Sequence, residues 1–182
     1  PMVALTFDDG PHYTVTPRIL DILQEHNARA TFFVLGNRVD NFPNIIQREY
    51  SQGHEIGSHS FSHPQITTLT SDEIEYQFAE TEHRIQQYVP YTTKLVRPPY
   101  TQSLKEVLLK TFVLWSIDTQ DWKTRDKDAI VSEVLNNVKD GDIILMHDMY
   151  STTADACEEL IPALIERGYQ LVTVSELLNA KE

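Results

Sequence analysis

Leu5-Thr6-Phe7-Asp8-Asp9-Gly10-Pro11 carries an apolar run, Val3 to Phe7, into two adjacent carboxylates and then a Gly-Pro pair. The run reads as a short buried strand, and Gly-Pro forces a turn directly after it. Two acids therefore stand at a strand end. Neighbouring carboxylates repel, so either one is protonated or a cation and an arginine lie close by. Whatever the rest of the chain does, it has to answer that charge.

The chain has 182 residues, of which 41% are apolar and 23% charged. That is enough for one sizeable core, and no Pro/Gly/Ser-rich stretch divides it, so residues 1–182 read as one domain. A net charge of −12 argues against nucleic acid or an anionic membrane as a partner and favours a soluble acidic surface. No apolar run reaches the roughly 18 residues of a spanning helix. The chain starts directly in a strand without a signal peptide, which fits a cleaved precursor, a piece of a longer protein or a cytosolic protein equally. Cys157 is the single cysteine, so no internal disulfide forms, and its place on an apolar helix face marks it as packing.

Strands and helices alternate from there. A helix opens at Pro17 and carries Ile19, Leu20, Ile22 and Leu23 on one face to about Glu25. A strand follows over Ala30 to Leu35. Pro43 begins the next helix, with Ile45 and Ile46 facing the core and Gly53 as its C-terminal cap, ahead of a short strand, Glu55 to Ser58. Thr70 with Glu73 forms a capping box for a long helix that ends near Val89, before Pro90. Further strands are expected at Leu95-Val96, Phe112 to Ile117, Asp142 to Met146 and Gln170 to Val174. Helices are expected near Leu104–Lys110, Asp128–Asn137 and Thr153–Arg167.

Seven strands, most followed by a helix, imply a parallel sheet, in which functional groups gather at the carboxyl ends of the strands. The unusual polar residues fall there: Asp8 and Asp9 after the first strand, His59 and His63 after the third, Arg97 after the fourth, Asp118 and Asp121 after the fifth, His147 and Asp148 after the sixth. The economical α/β architecture is a closed or nearly closed (β/α) barrel of about seven parallel strands with helices outside. Ordinary barrels of this kind need about 250 residues, so this one is expected to be reduced and distorted.

His59-Ser60-Phe61-Ser62-His63 sets two imidazoles four residues apart. On a helical turn that spacing brings both to one point, and a carboxylate from elsewhere completes three ligands. An incidental origin carries equal weight on the spacing alone. The acid pair after the first strand tips the balance toward a metal. Three ligands leave a position open to water, whose pKa a divalent ion lowers toward neutrality.

Thr6-Phe7-Asp8-Asp9-Gly10-Pro11, His59-Ser60-Phe61-Ser62-His63, Arg97-Pro98-Pro99-Tyr100, Asp118-Thr119-Gln120-Asp121-Trp122 and Leu145-Met146-His147 resemble, in order, the five motifs of the polysaccharide deacetylase family, the NodB-homology domain of carbohydrate esterase family 4. The resemblance runs over nearly the whole chain. It implies Asp9, His59 and His63 as ligands of a divalent transition metal, zinc first, with cobalt, nickel or manganese as alternatives. It implies Asp8 as the general base, tuned by Arg97, and His147 as the general acid, held by Asp121. The Tyr100 amide would stabilise the oxyanion, and Trp122 and Leu145 would wall the acetyl pocket.

One position departs from the family: Thr101 stands where glycine commonly follows the aromatic residue, so the turn carrying Tyr100 is expected to differ. Asp118 reads as a loop cap and Asp148 as structural. His12, His26, His54 and His83 read as surface or packing residues, as do Tyr50, Tyr76 and Tyr88. Tyr13 and Tyr150 lie near motif ends and could stack on a sugar. The expected activity is metal-dependent deacetylation of N-acetylglucosamine residues in a polysaccharide, peptidoglycan first. Chitin oligomers and O-acetylated xylan are alternatives, and a catalytically silent carbohydrate-binding module is the reading from another class. The expected protein is a secreted or cell-surface monomer.

Overall fold

The structure is a computed structural model that describes residues 1–101 and 110–182. Eight strands form one parallel sheet: β1 (Met2–Asp8), β2 (Thr31–Val34), β3 (Glu55–Ser58), β4 (Leu95–Val96), β5 (Thr111–Phe112), β6 (Ile117–Asp118), β7 (Ile143–His147) and β8 (Gln170–Leu171). Helices α1 (Val15–Glu25), α2 (Gly36–Val39), α3 (Pro43–Ser51), α4 (Ser71–Gln86), α5 (Asp121–Thr124), α6 (Lys127–Asn137), α7 (Ser151–Glu166) and α8 (Val174–Asn179) complete the described fold. The sheet runs β5-β4-β3-β2-β1-β7-β6, with β8 added to the start of β1. This is the distorted parallel α/β barrel that the strand count implies.

Strand β1 is central because both its faces are buried, which is why it reads as an almost unbroken apolar run. Its alternation sorts two environments. Val3, Leu5 and Phe7 join the large cluster under the helices, whereas Ala4 belongs to a second cluster with Phe33, Leu95 and Val113. Thr6 and Asp8, on the same side as Ala4, bond to Arg97. The inward layer thus passes from apolar to reactive along one strand.

The expected strand Phe112 to Ile117 is two short strands instead, β5 and β6, which lie at the two edges of the main strand order. The link between them crosses from one edge to the other. Its Val113 and Leu114 carbonyls accept from the Arg97 guanidinium at 3.1 and 2.8 Å, so a buried side chain takes the bonds that a neighbouring strand would have made. The last expected strand is likewise shorter: Val174 begins α8, whose capping box, Thr173 with Glu176, lay unread in the sequence.

The Thr70–Glu73 capping box is present, but α4 ends at Gln86, three residues before Val89. Helix α3 starts at Pro43, and Gly53, at φ +83°, takes the left-handed position that follows its cap. The helix expected near Leu104–Lys110 lies outside the described residues except for Lys110.

Gly10 is required by a close approach. A Cβ placed there would meet the buried Asp148 carboxylate at 2.2 to 2.6 Å, and Asp148 is itself held by Thr16 Oγ1 at 2.7 Å. Gly10→Ala is therefore expected to cost about 1–3 kcal/mol in denaturant unfolding. An unchanged midpoint would mean that the loops after β1 and β7 are not locked together as they stand.

Candidate active site

Site residues sit at strand ends because the register puts them there. Asp8 pairs with Phe33 of β2 on one side and with His147 of β7 on the other. Ser58 pairs with Val96, so His59 and Arg97 leave the sheet together. Five of the expected motifs converge on one cavity of about 490 Å³, lined by Asp8, Asp9, His59, His63, Tyr100, Trp122, Leu145 and His147. Arg97 and Asp121 are buried behind it.

The loops that form this wall hold their side chains by unusual backbone. Asp9, Ser60, His63, Tyr100, Gln120 and Arg125 all have φ between +47° and +79°, a region costly to residues with a Cβ. The expected difference at Thr101 has a specific form: the left-handed residue of that turn is Tyr100, at φ 60°, ψ 30°.

Arg97 carries no exposed surface. Its Nη1 donates to Asp8 Oδ1 and Thr6 Oγ1, both at 2.8 Å, and its plane lies 4.3 Å from the Phe33 ring centroid. The guanidinium thus answers one of the two strand-end carboxylates. Asp9 is answered differently. His59 Nε2 lies 3.3 Å and His63 Nε2 3.5 Å from Asp9 Oδ1, yet that buried oxygen has no hydrogen-bond donor, because the imidazole contacts lack bonding geometry.

The tautomers explain why. His59 Nδ1 is 2.6 Å from the Arg97 carbonyl oxygen, which can only accept, so Nδ1 carries the proton and Nε2 turns a lone pair toward Asp9. The ligand atoms of Asp9, His59 and His63 lie within 4.8 Å of one another. An orphaned carboxylate oxygen facing two imidazole nitrogens is a donor set that suits a divalent transition metal. Burial opposes ionisation of Asp9, but His59, His147 and His63 outweigh it and hold the carboxyl below its ordinary value.

His147 has the opposite arrangement. Its Nδ1 bonds to Asp121 Oδ1 at 2.8 Å, leaving Nε2 4.0 Å from Asp9 Oδ2. Asp121 is fully buried. It also accepts from the His147 and Trp122 amides and from Thr153 Oγ1. Burial alone would lower the His147 pKa, but Asp121, with smaller help from Asp8 and Asp9, carries it up to about 9.

The remaining expectations divide cleanly. Asp118 Oδ1 accepts the Gln120 amide at 2.9 Å, as a loop cap does, although Asp118 also touches the cavity. Asp148 lies outside the cavity and, through burial, its carboxyl is raised to about 7. His12 Nδ1 accepts the Thr14 and Val15 amides at the start of α1, and His54 packs edge-on against Phe32. Tyr150 does line the cavity. Trp115 in the wall and Thr153 behind Asp121 were missed; neither belongs to a local motif, and Thr153 reaches Asp121 across 32 residues.

The polysaccharide deacetylase family matches residues 1–111. The chain belongs to this family. Over its full length it is 45% identical to the peptidoglycan-N-acetylmuramic acid deacetylase PdaC of Bacillus subtilis, of which it spans 39%. It is 41% identical, over 98% of its length, to the peptidoglycan-N-acetylglucosamine deacetylase PgdA of Listeria monocytogenes, again spanning 39% of that protein. The solved structure of PdaC superposes with a TM-score of 0.96, covering 99% of this chain and 91% of that one, at 45% identity. A family 4 acetyl xylan esterase from Clostridium thermocellum, in complex with a cobalt ion, is 38% identical with a TM-score of 0.93, covering 100% of this chain and 92% of that one. The chain spans about two fifths of the first two curated relatives. The parallel, helix-wrapped barrel of this deacetylase domain is thus a fold shared with solved deacetylases and esterases.

Proposed function

We infer that this deacetylase domain hydrolyses the acetamide of N-acetylglucosamine residues in peptidoglycan, releasing acetate and a free amine. The observation that carries this reading is the pairing of Asp8 with His147 across β1 and β7, one side chain tied to a guanidinium and the other to a carboxylate. Two groups so held have opposite proton preferences, as an acid and a base must. PdaC and PgdA are named for different sugars of peptidoglycan, and the N-acetylglucosamine assignment is ours.

Asp9, His59 and His63 would hold the divalent ion, zinc first, which supplies Lewis-acid polarisation of the acetyl carbonyl and acidifies water. Asp8 takes a proton from the attacking water, while Arg97 keeps its carboxylate ionised and fixed in direction. The Tyr100 amide stabilises the oxyanion, and Trp122 and Leu145 enclose the acetyl group. His147 then donates from Nε2 to the departing nitrogen as the C–N bond breaks, and Asp121 holds the ring through Nδ1. The domain acts as a monomer in a secreted or cell-surface protein, where such a polymer lies.

Acetate release from peptidoglycan strands, chitin oligomers and acetylated xylan, each with and without chelator, tests the reading. The expected result is chelator-sensitive acetate from peptidoglycan. Release from xylan alone would make the domain an O-acetyl esterase, and binding without release from any polymer would favour the silent module.

The pH profile tests the acid separately. With the His147 pKa near 9, the imidazolium is present at neutral pH and activity should fall as pH rises through that value. Asp121→Asn removes the largest raising influence, so the alkaline limb is expected to move to lower pH. An unmoved limb would assign it to another group.

A further inference from the structure

Beside the catalytic cavity lies a second one, also about 490 Å³, with Tyr150 in the wall of both. The second is bounded by His12, Thr14, Ser151, Thr152 and Arg125 and has no carboxylate in its lining. In a chain with 27 acids and a net charge of −12, that local composition stands out.

Arg125 supplies the charge. Its guanidinium carbon lies 3.7 Å from the Tyr150 ring centroid, and its Nε donates to the Trp122 carbonyl at 2.8 Å. It is anchored at its stem and stacked on an aromatic face, an arrangement that fixes a planar cation before any ligand arrives. Its backbone, at φ 47°, ψ 41°, is left-handed, a conformation that costs stability in a residue with a Cβ. Arg18, Arg29, Arg48, Arg84 and Arg97 each pair with a carboxylate; among the described residues Arg125 pairs with none. The adjacent Asp126 is engaged elsewhere, capping α6 through the Ala129 amide. The α7 N-terminus at the cavity wall has no side-chain cap and no acid in its first turn, which adds to the positive potential there.

We propose that Arg125, stacked on Tyr150 between the two cavities, binds a carboxylate carried by the glycan next to the sugar being deacetylated and so selects charged strands over neutral ones. This rests on the peptidoglycan reading above, since such a strand carries carboxylates on alternate sugars or on their attached peptides, whereas chitin carries none. Tyr150 joins the two events, because the ring that Arg125 covers also lines the space beside His147.

Steady-state kinetics of the wild type, Arg125→Ala and Arg125→Lys test it on three substrates. These are a neutral N-acetylglucosamine tetramer, a peptidoglycan strand stripped to its free lactyl carboxylates, and the same strand with peptides attached. Arg125→Ala is expected to raise KM about 10-fold more on carboxylate-bearing strands than on the neutral tetramer, as loss of one charge-assisted contact would. Its kcat should fall no further on charged strands than on neutral ones. Arg125→Lys should recover part of the difference, and added salt should shrink it. A selective loss on the stripped strand places the carboxylate on the sugar; a loss confined to the peptide-bearing strand places it on the peptide. Equal losses on neutral and charged substrates overturn the proposal and leave Arg125 as a support for Tyr150.

The peptidoglycan reading fails separately, in the wild type, if neither strand is deacetylated. Arg125-dependent inhibition of tetramer turnover by the stripped strand would then still uphold the carboxylate contact. No such inhibition would overturn both.

Discussion

Asp8→Asn is expected to leave the metal content of the domain unchanged while cutting acetate release by about 10²- to 10⁴-fold, whereas Asp9→Asn should remove metal and activity together. The two side chains are neighbours in sequence but have different partners. Asp8 Oδ1 is held by Arg97 Nη1, and an asparagine oxygen can still accept that bond while being unable to take a proton from water. Asp9 Oδ1 faces His59 and His63 with no donor of its own, so its charge belongs to whatever those three side chains hold. His59→Ala and His63→Ala should behave like Asp9→Asn, with metal per protein as the readout. Asp8→Asn leaves the Arg97 charge buried without its counter-ion, so some stability should go as well, and activity is to be compared at equal folded fraction. Equal metal loss in the two aspartate variants would merge the roles.

Much of this site can be read from the chain because the sheet imposes a simple rule. Where each strand is a short apolar run, its end is visible in sequence, and the polar residue that follows must lie at one face of the barrel. Asp8, His59, Arg97 and His147 are all found this way, from residues Val3–Phe7, Glu55–Ser58, Leu95-Val96 and Asp142–Met146. The rule weakens when a strand has only two residues. Phe112 to Ile117 looks like one strand because its apolar residues are continuous, yet three of its inner backbone positions serve Arg97 or the turn between edges. Local propensity holds no record of a guanidinium 16 residues away.

The same limit hides the left-handed residues. Glycine announces such a conformation, as at Gly53, but Asp9, His63, Tyr100 and Arg125 adopt it without glycine. Their side chains are the ones needed in the cleft, so chemistry at these positions overrides the backbone preference that a sequence reading relies on. Glu49 is illegible for a related reason. It lies on the buried face of α3 with both carboxylate oxygens unpartnered among the described residues, and burial keeps it protonated well above the usual range. Nothing in a helix that opens at Pro43 signals an acid turned inward.

His147→Ala is expected to depress deacetylation of an N-acetyl sugar by about 10²- to 10⁴-fold and hydrolysis of an aryl acetate far less. The difference lies in the leaving group. An amine leaves a tetrahedral intermediate poorly unless a proton reaches its nitrogen, whereas a phenolate leaves without help. His147 is built for that donation: Asp121 binds Nδ1 at 2.8 Å and raises the imidazole pKa to about 9, while Nε2 remains turned toward Asp9. Asp121 is in turn fixed by Thr153 and two backbone amides, so Asp121→Asn should show a milder form of the same bias, with the ring less firmly held and less basic. Asp8→Asn acts before the leaving group matters and should depress both substrates by comparable factors. Measuring both substrates on the three variants at equal metal occupancy separates the steps. A uniform loss in His147→Ala would deny it the role of general acid and assign it to binding the acetyl group that both substrates share.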